Sequence, residues 1–414
     1  MRIFKFGGAS VKNADGVTNI LSIISQYREE KLVIVVSAMG KTTNALEEIA
    51  HDAFEQKNYN DGLTKLQEYH QHICLELFGT IPSEVNNLWV QLESTLKQPE
   101  ENWQKFYDAT VSFGELLSTT IVQLFLNDHV NASWVDARQY IRTNNFYTEA
   151  LVDWQLTEHY ISKDFPSLLE KGPIVTQGFI GADFTGQTTT LGREGSDFSA
   201  AIFAYCLSAE SLTVWKDVPG LLNADPKKFT NAELFDELSF QEVTELTYYG
   251  AKVIHPKTIR PLAQKGIPLY VRSFVNPEAA GTKISEQEKL ATKPCFVFKE
   301  NQLLVTLRVM DNSFMDEKKM LSVFQALDRS NIKINMMHNS ALTFTFCMDF
   351  QKRKLDDLQE YLKNDFHLLY NEGLELATIK NYEDASFTFL PKNKEIILEQ
   401  KTRNNYQVIY RLDV

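Results

Sequence analysis

Near the N-terminus the apolar positions spell a strand, a helix and a second strand. Residues 2–6 are a short strand-like segment that stops at Gly7-Gly8. Val17, Ile20, Leu21, Ile24 and Tyr27 then recur at helical spacing, and Lys31 to Ser37 (KLVIVVS) is a nearly continuous apolar run. Such a run suits a strand covered on both faces, so the order predicts a βαβ unit and a mainly parallel sheet. Residues 45–110 are helical in pattern, with one stripe through Leu63, Leu66, His70, Ile73 and Leu77 and another through Val85, Leu88, Leu92 and Leu96. They read as a helical insertion without evident chemistry. A strand is predicted at 173–176 and a helix over 197–207, with Ser196 and Asp197 as its capping residues. Ser211 to Lys216 and Leu269 to Phe274 are further strands, the second closing the sheet region, and Asn276 to Thr292 reads as a linker.

Beyond the linker the periodicity changes. Leu303, Val305, Leu307 and Val309 alternate, then Met320, Val323, Phe324 and Leu327 share a helix face. Ile332, Ile334 and Met336 alternate, as do Leu342, Phe344, Phe346 and Met348. A helix with Leu355, Leu358 and Leu362 and a strand at 367–370 complete a βαββαβ order, an α+β ferredoxin-like unit. The expected domains are therefore 1–285, an α/β unit, and 293–414. The latter comprises a complete βαββαβ unit at 300–370 and a reduced second unit at 371–414 with a hairpin across Thr402 to Tyr406.

Composition narrows the function. The 414 residues are 43% hydrophobic and 23% charged, with a formal net charge of −12. That balance argues against nucleic acid as a bulk electrostatic partner, and an anionic substrate would need cations concentrated locally. No apolar run approaches the roughly 18 residues of a membrane helix, and Met1 leads directly into a strand rather than a signal peptide. Cys74, Cys206, Cys295 and Cys347 form no CxxC pair and read as core thiols of a cytoplasmic protein. His70 and His72 read as surface residues without a third metal ligand nearby.

Several stretches carry candidate chemistry. In Thr188 to Ala201 (TTTLGREGSDFSAA), Gly192 and Gly195 allow backbone to approach a ligand and Arg193 supplies a planar cation, a combination suited to carboxylate or phosphate. Lys5-Phe6-Gly7-Gly8 is a second candidate phosphate site, although GxGxxG is absent. Gly40-Lys41-Thr42 is not a P-loop, because Val35 stands where the first glycine is required. Glu115, heading an apolar helix, could hold an ammonium or merely complement the helix dipole.

In chain order these blocks resemble the aspartate kinases. The match runs through KFGGASV (5–11), SAMGKTTN (37–44), FGELLST (113–119), QGFIG (177–181), TTTLGREGSDFSAA (188–201), WKDVPGLLNADP (215–226) and GAKVIHPKTIRP (250–261). The resemblance, to the monofunctional lysine-type branch, implies an amino-acid-kinase fold followed by ACT-type regulatory modules. It implies ATP-dependent phosphorylation of the L-aspartate β-carboxylate, with Mg²⁺ carried by the nucleotide, and a homodimer or dimer of dimers through the C-terminal region. By the same resemblance, Lys5, Gly7, Gly8 and Ser10 cradle the phosphoryl group and Asp197 orients Lys5. Thr43, Glu115, Arg193 and Ser196 hold aspartate, with Glu115 on the ammonium and Arg193 on the α-carboxylate. Lys216, Asp217, Leu222, Lys227, Lys252 and Val253 wall the nucleotide.

The chain also departs from the pattern. Family loops usually read GRGGSD, so Glu194 replaces a glycine, and a carboxylate beside an anion site is unfavourable unless it points outward. Lys216, Leu222 and Lys227 stand where Thr, Tyr and Arg are common, which implies a looser grip on ATP. The lysine-inhibited branch tends to place Gly, Asp and Glu at the positions of Lys318, Asn335 and Ala341, so lysine inhibition is expected to be weak or absent. Two alternatives stay open: another amino-acid kinase, acting on glutamate or N-acetylglutamate, and a catalytically silent amino-acid sensor on the same fold.

Overall fold

In the computed structural model the N-terminal apolar segment is β1 (Arg2–Phe6), flanked on both sides by parallel strands. The structure describes residues 1–229, 231–251, 254–286, 293–311 and 313–412. They divide into two units. The first comprises Met1–Leu221, Leu234–Thr247 and Lys252–Leu290, the second Leu222–Glu233, Tyr248–Ala251 and Ala291–Val414. Two excursions within the 1–285 range thus pack with the C-terminal region.

The first unit carries β2 (Leu32–Val36), β3 (Ser133–Val135), β4 (Ile174–Gln177), β5 (Ile180–Ala182), β6 (Thr188–Thr190), β7 (Ser211–Lys216), β8 (Glu237–Ser239), β9 (Leu269–Ser273) and β10 (Thr282–Ser285). The main sheet runs β3-β4-β2-β1-β7-β9-β10-β8, parallel except at β9–β10, while β5 and β6 pair separately. Every residue of β2 is buried, as a strand covered on both faces requires. The edge beyond β9 was not legible. Thr282–Ser285, read as linker, buries only Thr282 and Ile284, an alternation too short to stand out in a Gly- and Pro-rich stretch.

The helices are α1 (Ala14–Ile24), α2 (Thr42–Phe54), α3 (Asn60–Phe78), α4 (Ser83–Lys97), α5 (Trp103–Val111), α6 (Phe113–Val130), α7 (Trp154–Leu169), α8 (Gly195–Cys206), α9 (Phe240–Tyr249) and α10 (Pro256–Gln264). The predicted insertion is thus α2 to α5. By composition Trp103–Val130 is long and apolar enough to cross a membrane, contrary to the sequence reading. Yet 78% of its most apolar window is buried inside the protein, as befits a core helix. His70 also departs from expectation, being fully buried. Its stripe mates Leu63, Leu66 and Ile73 are the core-facing side of α3, and burial lowers its pKa to about 4, which keeps the ring neutral.

In the second unit β11 (Cys295–Val309), β12 (Met336–Asn339), β13 (Thr343–Asp349), β14 (Phe366–Lys380), β15 (Lys394–Lys401) and β16 (Asn405–Leu412) form one sheet ordered β12-β13-β11-β14-β16-β15, with α11 (Glu317–Arg329) and α12 (Lys352–Leu362). β14 continues ten residues past the predicted end at 370, through Gly373 at φ +67° and beside a bulge in β11. That irregularity hides the continuation from a period-two reading. The reduced unit at 371–414 therefore shares one sheet with the βαββαβ unit at 300–370.

Candidate functional site

Four parallel strands end beside one another: β1 at Phe6, β2 at Val36, β4 at Gln177 and β7 at Lys216. The loops beyond their carboxyl ends enclose a cavity of about 1050 Å³, where open α/β sheets commonly bind ligands. Lys5, Gly8, Thr43, Glu115, Arg193, Ser196, Asp197 and Lys216 all line it, so blocks scattered over two hundred positions converge. Gly7 lies between Lys5 and Gly8. A Cβ on Gly8 would lie 2.5 Å from the Ala38 carbonyl oxygen, so only glycine lets this turn seat on residues 38–40. Ser10 is buried within the turn, its N–H donating to the Gly7 carbonyl, and does not line the cavity.

The charges are arranged around Asp197, in the first turn of α8. Lys5 Nζ lies 2.6 Å from its Oδ1 and Lys216 Nζ 3.4 Å from its Oδ2, with Lys5 and Asp197 both buried. Burial alone would raise the Asp197 pKa, but the two ammonium groups hold it below the usual carboxylate range. Glu115, buried in α6, accepts the Ala38 N–H at 3.2 Å through Oε1, while its Oε2 has no hydrogen-bond partner among the described residues. Burial pushes its carboxyl up to about 8, against the opposing pull of that N–H and of Lys5. Arg193 is exposed on the loop that enters α8.

The predicted cap of α8 is displaced. The helix begins at Gly195 with Glu194 as the capping residue, so Ser196 and Asp197 lie inside the first turn. Glu194 adopts φ +54°, the left-handed conformation natural to the glycine it replaces. Its side chain lines the cavity rather than pointing outward, and its buried Oε2 has no hydrogen-bond partner among the described residues. Thr148 (φ +69°) and Phe179 (φ +70°) line the same cavity, so three strained non-glycine residues gather at one place.

The residues expected at the nucleotide wall fall in different parts of the chain's two units. Asp217 is exposed just after β7. Leu222 and Lys227 belong to the second unit, where Ala224 and Phe229 anchor their loop and Phe229 stacks on Phe296. Lys252 and Val253 lie outside the described residues. Sequence reasoning missed Glu47, Tyr107, Thr148 and Glu149 in the cavity lining. None of them stands in a block with its own chemical signature, and the fold alone brings them in.

Comparison with known proteins agrees with this geometry. Residues 1–273 match the model of the amino acid kinase family. Lysine-sensitive aspartokinase 3 of Escherichia coli (strain K12) is 32% identical over 360 residues, 84% of this chain and 78% of that protein. Chloroplastic aspartokinase 1 of Arabidopsis thaliana is 32% identical over 84% of this chain and 63% of its own length. The crystal structure of E. coli aspartokinase III in complex with aspartate and ADP superposes with a TM-score of 0.82 at 26% identity, covering 99% of this chain and 96% of that one.

Proposed function

The chain belongs to the amino acid kinase family, and from that premise we propose that it is an aspartate kinase, transferring the γ-phosphoryl group of ATP to the β-carboxylate of L-aspartate. This reaction yields 4-phospho-L-aspartate and opens lysine, threonine and methionine synthesis. The observation that carries the reading is the Lys5–Asp197 pair, 2.6 Å apart, in the same cavity as Arg193 and Glu115.

The chemistry follows from charge. A carboxylate must approach a triphosphate, so two anions have to be held in line, and positioning with cationic stabilisation dominates. The acceptor is already deprotonated at neutral pH, so no general base is required. Arg193 and Ser196 hold the α-carboxylate, Glu115 the α-ammonium, and Thr43 the remainder of the amino acid. Gly7 and Gly8 admit the phosphates to the backbone of the turn, and Ser10 closes it. Lys5, aimed by Asp197, neutralises charge on the transferring group, and Lys216 and Asp217 face the nucleotide. Mg²⁺ enters as part of the nucleotide substrate.

Hydroxamate trapping with ATP, Mg²⁺ and L-aspartate, with L-glutamate as control, tests the reaction. Product from aspartate alone supports it, product from glutamate points to another amino-acid kinase, and no product from either points to a silent sensor. Lys5→Ala is expected to lower turnover by about 10²–10⁴, since a charge-stabilising donor is worth about 3–5 kcal/mol. Turnover close to wild type would remove Lys5 from this role.

The enzyme is further proposed to work in the cytoplasm as a homodimer or dimer of dimers through its C-terminal region. Its four free, buried cysteines suit a reducing compartment. Sedimentation and fractionation are the tests.

A further inference from the structure

Asp108 lies in α5, within the helical insertion whose sequence shows no chemistry, and is completely buried. Its carboxylate accepts from three donors on two other segments. The Thr148 N–H reaches both oxygens, at 3.1 and 2.9 Å. The Thr190 N–H reaches Oδ2 at 2.8 Å, and the Thr190 hydroxyl reaches Oδ1 at 2.7 Å. The two segments are also tied to each other, the Ala150 N–H donating to the Thr190 carbonyl at 2.9 Å. Thr190 ends β6 and leads within three residues to Arg193. Thr148 and Glu149 line the cavity themselves.

Two features give this node a function beyond filling the core. Thr148 is β-branched yet sits at φ +69°, a conformation that persists only where its surroundings impose it. A Cβ on Gly192 would lie 2.9 Å from the Glu149 side chain and 3.2 Å from the Thr148 carbonyl oxygen, so the Arg193 loop rests directly on the segment Asp108 holds.

We propose that Asp108 is a positioning residue for aspartate binding: by pinning Thr148 and Thr190 it sets the register of the cavity wall that presents Arg193. It touches no reacting atom and acts through the two threonines. The inference rests on the aspartate-kinase reading above.

The test is calorimetric binding of L-aspartate and of MgADP to the full chain, with turnover measured separately. Asp108→Asn keeps the shape but removes the charge and leaves one acceptor oxygen for the Thr148 and Thr190 N–H groups, while its NH₂ group abuts the Thr148 N–H and has only the Thr190 hydroxyl to accept from it. It is expected to weaken aspartate binding about tenfold or more and MgADP binding less than twofold, as loss of a hydrogen-bonded buried carboxylate implies. Thr190→Val, which removes only the hydroxyl, is expected to weaken aspartate binding about threefold, and Thr190→Ser to restore it. Thr148→Gly adopts the same φ without strain, so in the Asp108→Asn background it is expected to recover part of the loss. If Asp108→Asn does not fold, the Thr190 pair decides alone. Unchanged aspartate affinity in the Val variant, or equal weakening of both ligands, overturns the proposal. A wild-type chain that binds aspartate without phosphorylating it removes only the kinase reading; one that binds no aspartate removes both.

Discussion

Glu115 is a buried carboxyl whose charge state depends on what enters the cavity. With its pKa pushed up to about 8 by burial, the free protein holds a proton there at neutral pH. An α-ammonium selects the carboxylate form, so the complex binds fewer protons than the free protein and aspartate binding releases one. By linkage, aspartate affinity rises with pH up to about 8 and then levels off. Titrations at pH 7 in two buffers of different ionisation enthalpy should reveal release approaching one proton per aspartate; no release would take Glu115 off the ammonium. Asp197, an equally buried carboxylate, behaves oppositely, because Lys5 and Lys216 hold it charged.

At the scale of elements, the start of α8 carries Glu194 where the resemblance leads one to expect glycine. The first helical turn needs a left-handed residue at its cap, and Glu194 fills that place at a cost of about 1–3 kcal/mol. Glycine there would remove the strain, against about 0.4–1 kcal/mol of added freedom in the unfolded chain. Glu194→Gly is therefore expected to stabilise the protein by on the order of 1 kcal/mol. It also takes a carboxylate out of the cavity proposed to hold two anionic substrates, so the KM for aspartate should fall. Thermal unfolding and steady-state kinetics check both; a lower midpoint with a higher KM would mean that Glu194 makes a contact with substrate. The insertion is a bracing element as well. The α3 residue Tyr69 donates its hydroxyl to the Lys12 carbonyl at 2.5 Å, and His70 Nε2 lies 3.3 Å from the Thr42 hydroxyl. Helices with no signature of their own thus support the loops after β1 and β2.

At the scale of the whole molecule, the second unit holds the positions that the resemblance ties to lysine inhibition. Asn335, which replaces an acidic residue of the lysine-inhibited pattern, is buried in a polar network. Its Oδ1 accepts from Lys299 Nζ at 2.7 Å, and its Nδ2 donates to Gln302 Oε1 at 2.8 Å and Asp349 Oδ1 at 3.0 Å. The chain's own ammonium already occupies this acceptor, and Asn335 carries no charge to attract another. Millimolar L-lysine is therefore expected to leave the initial rate within about twofold, given that one charge-assisted hydrogen bond is worth about 1.5–3 kcal/mol. Steep micromolar inhibition of the purified protein would overturn this expectation.

What the sequence by itself determined was the order of most elements and the blocks that carry Lys5, Glu115, Arg193 and Asp197. Glycine turns, apolar periodicity and charged blocks are local features, written in consecutive residues. The tertiary structure alone decided that Asp108 and His70 are buried braces, that Thr282–Ser285 joins the main sheet, and that residues 222–233 pack with the C-terminal region. It also decided that Glu194 faces the cavity. Each of these depends on which distant backbone lies opposite a side chain. A short polar segment carries no record of that partner until the chain has folded around it.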